Sequence, residues 1–276
     1  MTPDTALVDS HFHIWRLDRG DYGWLTPALA PIYRDVSFAD WRAVSGPCGV
    51  GAGIVVQAAP TQAETSFLLA QAETADDVLG VVGWVDLLAA DAPARIEALA
   101  RRPKLVGLRP MLQDIADPDW ILQPRAQAGL AAMSEAGLVF DALVKPVHLP
   151  RILRLAERHP DLRIVIDHGA KPDIAHGQWE DWAAAMQRMA SDTGASCKLS
   201  GLWNEAAPGA RVEALRRHAE GLLGMFGASR LLWGSDWPVL ALAGDYAAWF
   251  ALARALVPAN DHAAVFGENA RAVYGV

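Results

Sequence analysis

Residues 162–168 read LRIVIDH, an apolar run that closes on Asp167 and His168. Leu162, Ile164, Val165 and Ile166 hardly alternate with polar residues, so both faces of such a segment must be covered, as they are in a parallel sheet. The polar pair at its end is capable of acid–base or ligand chemistry. Seven further segments follow a similar plan: Ala6–Ile14, Gly51–Ala58 (GAGIVVQA), Val78–Val85 (VLGVVGWV), Leu105–Arg109 (LVGLR), Leu138–Val144 (LVFDALV), Ala195–Ser200 (ASCKLS) and Arg230–Asp236 (RLLWGSD). Eight strands are therefore expected.

Helical patterns fill most of the gaps. Thr61-Gln-Ala-Glu64 has the spacing of a capping box ahead of TSFLLAQAETA. Asp91 and Pro93 read as the cap and first turn of the next helix. PRAQAGLAAMSEAG ends on Gly137, and HLPRILRLAERHP stops at Pro160. Further helices fit 178–193, 210–226, 245–256 and 261–273. Trp15–Ser45, rich in Pro, Gly and aromatics, reads as a long loop with a short helix. Strands alternating with helices give the α/β class, and eight of each give a single (β/α)8 TIM barrel spanning residues 1–276. No internal repeat or linker interrupts it.

Composition agrees. A barrel of this kind needs about 250 residues, and the chain has 276, of which 52% are hydrophobic and 20% charged. The net charge of −8, without long runs of one sign, disfavours a nucleic-acid or anionic-membrane partner. Cys48 and Cys197 are far apart and form neither a disulfide framework nor a CxxC pair. The first residues, MTPDTALVDSHFHIW, lack a basic segment followed by an apolar one, and no apolar run reaches the roughly 18 residues of a membrane span. The expectation is a cytoplasmic protein acting on a small molecule, compatible with a homo-oligomer.

Barrel enzymes build their sites at the C-terminal ends of the strands, and several reactive residues fall there. His11 and His13 are two apart on the first strand, so both side chains point to one face. They suit metal or substrate contacts, against the plainer reading of a histidine-containing turn. Asp236 in GSDWP is a general base or ligand, or else a turn residue ahead of Pro238. Because neighbours on a strand alternate, only one of Asp167 and His168 should face the mouth; His168 is the choice, with Asp167 its structural partner. Arg109 in GLRPML is costly after a buried run unless its guanidinium meets an anion or a carbonyl. Lys171 can reach back over the site or lie solvated in a loop. Gln57, Trp84, Lys145 and Lys198 are at or near strand ends, where rim or packing roles compete. Trp24, Trp203 and Trp237 could stack on a sugar, although most of the 11 Trp must serve the core. Asn204 and Glu205 could cap the helix after the seventh strand. No GxxxxGK[ST], GxGxxG or GxSxG motif supports phosphate-loop or serine-nucleophile chemistry.

HxH after strand one, a His after strand six, an Asp after strand eight and the closing GENARAVY resemble the amidohydrolase superfamily. VDSHFHIW, GDYGWLTP, VVQAAPTQAETSFLL, VVGWVDL, GLRPMLQD, DPDWIL, RHPDLRIVIDHGAKP, CKLSGL and LLWGSDWPVL narrow the likeness to the amidohydrolase-2 lactonases, the group of L-fuconolactonase and related sugar-acid lactonases. The motifs cover nearly the whole chain. The resemblance implies hydrolysis of a small sugar lactone, L-fucono-lactone or a close relative. His11 and His13 would form the base of the site. Arg109 would contact the substrate, with His168 near its carbonyl and Asp236 handling the water. Lys171, Trp24, Gln57, Trp84 and Trp203 are the expected substrate contacts. Binuclear amidohydrolases carry a bridging Lys or Glu after strand four, where this chain has Arg109. They also carry a His after strand five, where it has Ala142–Val144 and Lys145. A metal pair is thus not expected. One ion such as zinc, on His11, His13, His168 and Asp236, is sterically reasonable but not required. Two competing readings share the skeleton: a metal-dependent decarboxylase of aromatic acids, and a non-catalytic barrel that binds a sugar acid.

Overall fold

The computed structural model describes residues 7–207 and 212–276. Ala6 of the expected first strand and the first two residues of the helix expected at 210–226 lie outside them. Eight strands form one sheet in chain order: β1 (Leu7–Phe12), β2 (Val50–Val56), β3 (Val78–Gly83), β4 (Leu105–Leu108), β5 (Val139–Ala142), β6 (Ile164–Ile166), β7 (Ser196–Leu199) and β8 (Leu231–Trp233). Every sequential pair is parallel. The barrel closes just beyond the ends of β1 and β8: the Asp236 amide donates to the His11 carbonyl at 2.8 Å, and the His13 amide to the Trp237 carbonyl at 2.8 Å. Two short backbone bonds thus join the segments that carry the HxH pair and the aspartate.

The outer layer is α1 (Phe38–Ser45), α2 (Gln62–Ala72), α3 (Ala92–Ala100), α4 (Pro124–Glu135), α5 (Leu149–Arg158), α6 (Glu180–Asp192), α7 (Val212–Phe226), α8 (Tyr246–Leu256) and α9 (Asn269–Tyr274). The architecture is the expected (β/α)8 TIM barrel. Its inner core is β-branched and apolar, with Val8, Ile54, Val56, Val82, Val106, Val139, Val165 and Leu232 joined by Tyr274 of α9. A larger cluster between strands and helices covers the other strand face. Coverage on both sides is why the strands read as continuous apolar runs.

Local chemistry departs from expectation at four places. Most strands stop one to three residues early, because their last residues leave the sheet to turn over the barrel mouth. Thr61 caps α2 by accepting from the Glu64 amide at 3.0 Å. Glu64 does not reciprocate: its buried carboxylate accepts from Tyr22 Oη at 2.6 Å and from the Ala58 amide at 3.2 Å, so the capping box is half formed. Asp91 does not cap α3; it pairs with Arg95 at 2.7 Å. The helix expected over 261–273 is broken by a π-helical segment, Ala264–Glu268, ahead of α9. Gly137, by contrast, takes the positive φ of +66° that a helix-terminating glycine supplies.

Candidate active site

The residues at the barrel mouth owe their positions to unusual backbone. Directly after β6 the chain enters a left-handed turn: His168, Gly169, Ala170 and Lys171 all have φ between 51° and 60°. Asp236, after β8, has φ 57°. L-residues pay roughly 1–2 kcal/mol each for this region, and such outliers persist where surrounding contacts enforce them. Here the enforcing contacts sit around a cavity of about 200 Å³ whose lining includes His13, Trp24, Arg109, His168, Lys171 and Asp236.

Asp236 is the hub. Its Oδ1 is 3.3 Å from His13 Nε2, 3.7 Å from His11 Nε2 and 3.8 Å from His168 Nε2. Burial on its own would raise this carboxyl; His168, the His13 bond and His11 outweigh it and hold Asp236 well below the usual carboxylate range. His13 Nδ1 donates to the Val56 carbonyl at 2.7 Å, which turns Nε2 toward the carboxylate. His168 Nδ1 meets Ser200 Oγ at 2.8 Å. Burial lowers His168 to about 4, against the opposing pull of Asp236, so its imidazole is neutral at pH 7.

Beneath the mouth lies a second layer of charge. Arg109 Nη1 is 3.3 Å from both His11 Nε2 and Asp167 Oδ2, while its Nη2 donates to the Gln57 carbonyl. Gln57 Nε2 returns the bond to the Arg109 carbonyl at 2.7 Å. Lys198, fully buried, places Nζ 2.5 Å from Asp141 Oδ2, 3.0 Å from Asp167 Oδ1 and 3.1 Å from His11 Nδ1. Tyr274 Oη donates to Asp141 at 2.9 Å. Behind the β1–β8 seam, Asp9 accepts from the Ser235 amide and hydroxyl, Trp41 Nε1, Tyr246 Oη and the His11 amide.

His13, His168, Asp236, Arg109, Lys171 and Trp24 come together around the cavity, with His11 directly below. Trp24 is anchored through Nε1 to the Ala58 carbonyl at 2.7 Å, and Lys171 pairs with Glu205 at 2.6 Å. Glu205 is thereby a partner of Lys171; the residues ahead of α7, where the suggested cap would act, lie outside the described residues. Gln57 is buried behind Arg109, Trp84 lines a neighbouring groove, and Trp203 packs on Gly244; none of the three lines this cavity. Lys145 is exposed, and Trp237 is 6% exposed within the core. Both Asp167 and His168 adjoin His11, although strand alternation allowed only one to face inward. The left-handed turn at His168 breaks that alternation. Asp9, Asp141 and Lys198 are the polar groups whose part in the site the sequence reading did not see. Each interrupts an otherwise apolar strand, and a charge in such a place needs a buried partner of opposite sign or a full set of donors.

The donor set fits one divalent ion. His13 Nε2 lies 3.3 Å from Asp236 Oδ1, and one ligand atom from each of His11, His13 and Asp236 lies within 4.8 Å of the others, close enough to surround one cation. It does not fit a metal pair, since Arg109 and Lys198 already engage Asp141 and Asp167.

Comparison with known proteins agrees with this architecture. The chain is 47% identical over 280 residues to an L-fucono-1,5-lactonase of Burkholderia ambifaria, covering 99% of this chain and 96% of that protein. It is 34% identical to an L-fucono-1,5-lactonase of Burkholderia multivorans, covering 98% and 96%. Among solved structures, an amidohydrolase from Burkholderia multivorans with bound zinc superposes with a TM-score of 0.92 at 32% identity, covering 98% of this chain and 99% of that one. The model of the amidohydrolase family matches residues 8–276, and the chain belongs to that family.

Proposed function

We propose that this chain hydrolyses a small sugar-acid lactone, with an L-fucono-lactone the leading substrate, and that residues 1–276 act as a single catalytic unit. The observation that carries the reading is Asp236, an ionised carboxylate set among His11, His13 and His168 at the floor of a cavity with Arg109 and Lys171 on its wall. Similarity to the lactonase of Burkholderia ambifaria supports the substrate class.

Asp236 accepts the proton of the attacking water as general base. The carbonyl oxygen, gaining negative charge, needs donors that are already in place. His168 supplies one when Ser200 donates to its Nδ1, which puts the imidazole proton on Nε2 facing the mouth. Arg109 supplies positive charge, and its Nε–H has no partner among the described residues. Lys171, tethered by Glu205, stands at the rim for the ring hydroxyls or the nascent carboxylate. The proton on Asp236 then passes to the departing ring oxygen. Trp24 offers an anchored indole edge or face to the sugar. A divalent ion held by the three histidines and Asp236 would polarise the carbonyl and acidify bound water, but the residues above supply base and donors without it. We infer that no metal is required.

The test uses protein dialysed against a strong chelator and freshly prepared L-fucono-1,5-lactone in weak buffer with a pH indicator. Ring opening releases a proton, so acidification well above the spontaneous rate is expected. Activity that appears only after zinc is added would keep the lactonase and remove the metal-free mechanism. No turnover in either condition, across a panel that includes 1,4-lactones and L-galactono-lactone, would overturn the substrate class.

A further inference from the structure

We propose that Lys198 is a built-in cation that stands where a second metal ion would serve the site, and that with Arg109 it weakens the binding of a divalent ion at His11. The inference concerns the cation balance of the site and needs no substrate.

Lys198 rises from β7 into the barrel with 0% exposure, and its Nζ faces three acceptors at short range: Asp141 Oδ2 at 2.5 Å, Asp167 Oδ1 at 3.0 Å and His11 Nδ1 at 3.1 Å. Two carboxylates and an imidazole around one point are a set that suits a divalent ion. Here the positive charge belongs to the chain. Asp141 has Tyr274 Oη as a second donor at 2.9 Å, and Asp167 has Arg109 Nη1 at 3.3 Å, so neither carboxylate needs an added cation.

The effect on His11 follows from its two tautomers. With a side-chain cation 3.1 Å from Nδ1 and another 3.3 Å from Nε2, a His11 ring that carries one proton has a single lone pair to offer. If Nδ1 carries the proton, it faces Asp167 Oδ1 at 3.4 Å, and the Nε2 lone pair faces the Arg109 Nη1 donor at 3.3 Å. If Nε2 carries it, that proton faces Asp236 Oδ1 at 3.7 Å, and the Nδ1 lone pair accepts from Lys198. Either way the lone pair is already engaged by a side-chain cation. A metal at His11 must displace one of these donors and also bear the repulsion of both charges beside a fully buried ring. The chain is thereby disposed to work without a metal, or with one loosely held.

Zinc alone is the probe. Calorimetric titration of the metal-stripped full chain gives the parent affinity. Lys198→Gln removes the charge and keeps an N–H donor for Asp141. It is expected to bind zinc more tightly, on the order of tenfold or more. Merely structural damage would loosen zinc binding, so the direction is diagnostic. A folded Lys198→Gln, judged by circular dichroism, that binds zinc no more tightly than the parent overturns the proposal. Should the single variant not fold, Lys198→Gln/Asp141→Asn removes both charges of the 2.5 Å pair together. Tighter zinc binding in the double variant supports the inference, and unchanged or weaker binding overturns it.

Discussion

His13 and Asp236 are 223 residues apart in sequence and 3.3 Å apart in space, and each is fixed by a separate backbone device. The Val56 carbonyl holds the His13 ring by Nδ1, and a left-handed φ of 57° aims Asp236 at the other nitrogen. Asp236→Asn should keep this geometry, because asparagine tolerates the left-handed region better than most residues. It removes the base. Turnover is expected to fall by about 10²–10⁴-fold, with the thermal midpoint within a few degrees of the parent. Near-normal turnover would remove Asp236 from the mechanism.

Gly201 sits at φ +64°, and a Cβ built there would lie 2.6 Å from His168 Nδ1 and 2.7 Å from its Cγ. Gly201→Ala therefore meets both backbone strain and a collision with the imidazole. The ring would have to leave Ser200, its partner at 2.8 Å. Loss of about 1–3 kcal/mol of stability is expected, together with a fall in kcat larger than any rise in KM. A variant with unchanged kcat would mean that the position of His168 does not matter to the chemistry.

Glu64 gives a pH prediction away from the chemistry. Burial pushes its carboxyl from the ordinary 4.5 up to about 7, against the lowering bonds from Tyr22 and the Ala58 amide. The folded state then binds a proton more tightly than the unfolded state. Its contribution to stability is present below about 4.5 and lost as pH rises through about 7. The full span is worth on the order of 3 kcal/mol. In Glu64→Gln that contribution disappears, so urea unfolding of parent and variant at pH 4, 5, 6, 7 and 8 should show a stability difference that drifts in this direction. A constant difference across the series would mean that Glu64 is not buried in a raised state.

The barrel was legible because strands covered on both faces leave continuous apolar runs, and because reactive residues cluster where those runs end. His11, His13, His168, Arg109 and Asp236 could be picked out for that reason. What could not be read depends on contacts between distant strands. Lys198 looks like a rim lysine until β5 and β6 bring Asp141 and Asp167 around it. Asp167 and His168 looked mutually exclusive because strand alternation was assumed to extend to His168, which lies outside β6 at φ 53°. Glu64 fitted a local capping pattern, but Tyr22, 42 residues away, offers its carboxylate a buried donor. Local pattern fails in each case where a buried charge finds a remote partner.

Asp9 carries the last prediction. Its Oδ1 accepts from the Ser235 amide at 2.8 Å and the His11 amide at 3.2 Å, and its Oδ2 from the Ser235 hydroxyl at 2.6 Å, Trp41 Nε1 at 3.1 Å and Tyr246 Oη at 3.1 Å. All these donors converge on a carboxylate with no exposed surface. It ties β1 to the segment after β8 behind the two backbone bonds that close the barrel. In Asp9→Asn one oxygen becomes an NH2 group: at Oδ1 it opposes two backbone amides, at Oδ2 the Trp41 N–H, while the two hydroxyls can turn to accept, so at least one bond is lost and the remaining ones lose their charged acceptor. At about 1.5–3 kcal/mol for each bond to a charged acceptor, a loss of roughly 2 kcal/mol or more is expected. Ser235→Ala removes a single hydroxyl donor and should cost about 1–2 kcal/mol. The same seam sets the distance between the HxH pair and Asp236, so kcat in Asp9→Asn should fall even under conditions where the variant is fully folded. Urea midpoints together with kcat at low temperature check both parts. An Asp9→Asn protein within 0.5 kcal/mol of the parent would show that the seam is held by its backbone bonds alone.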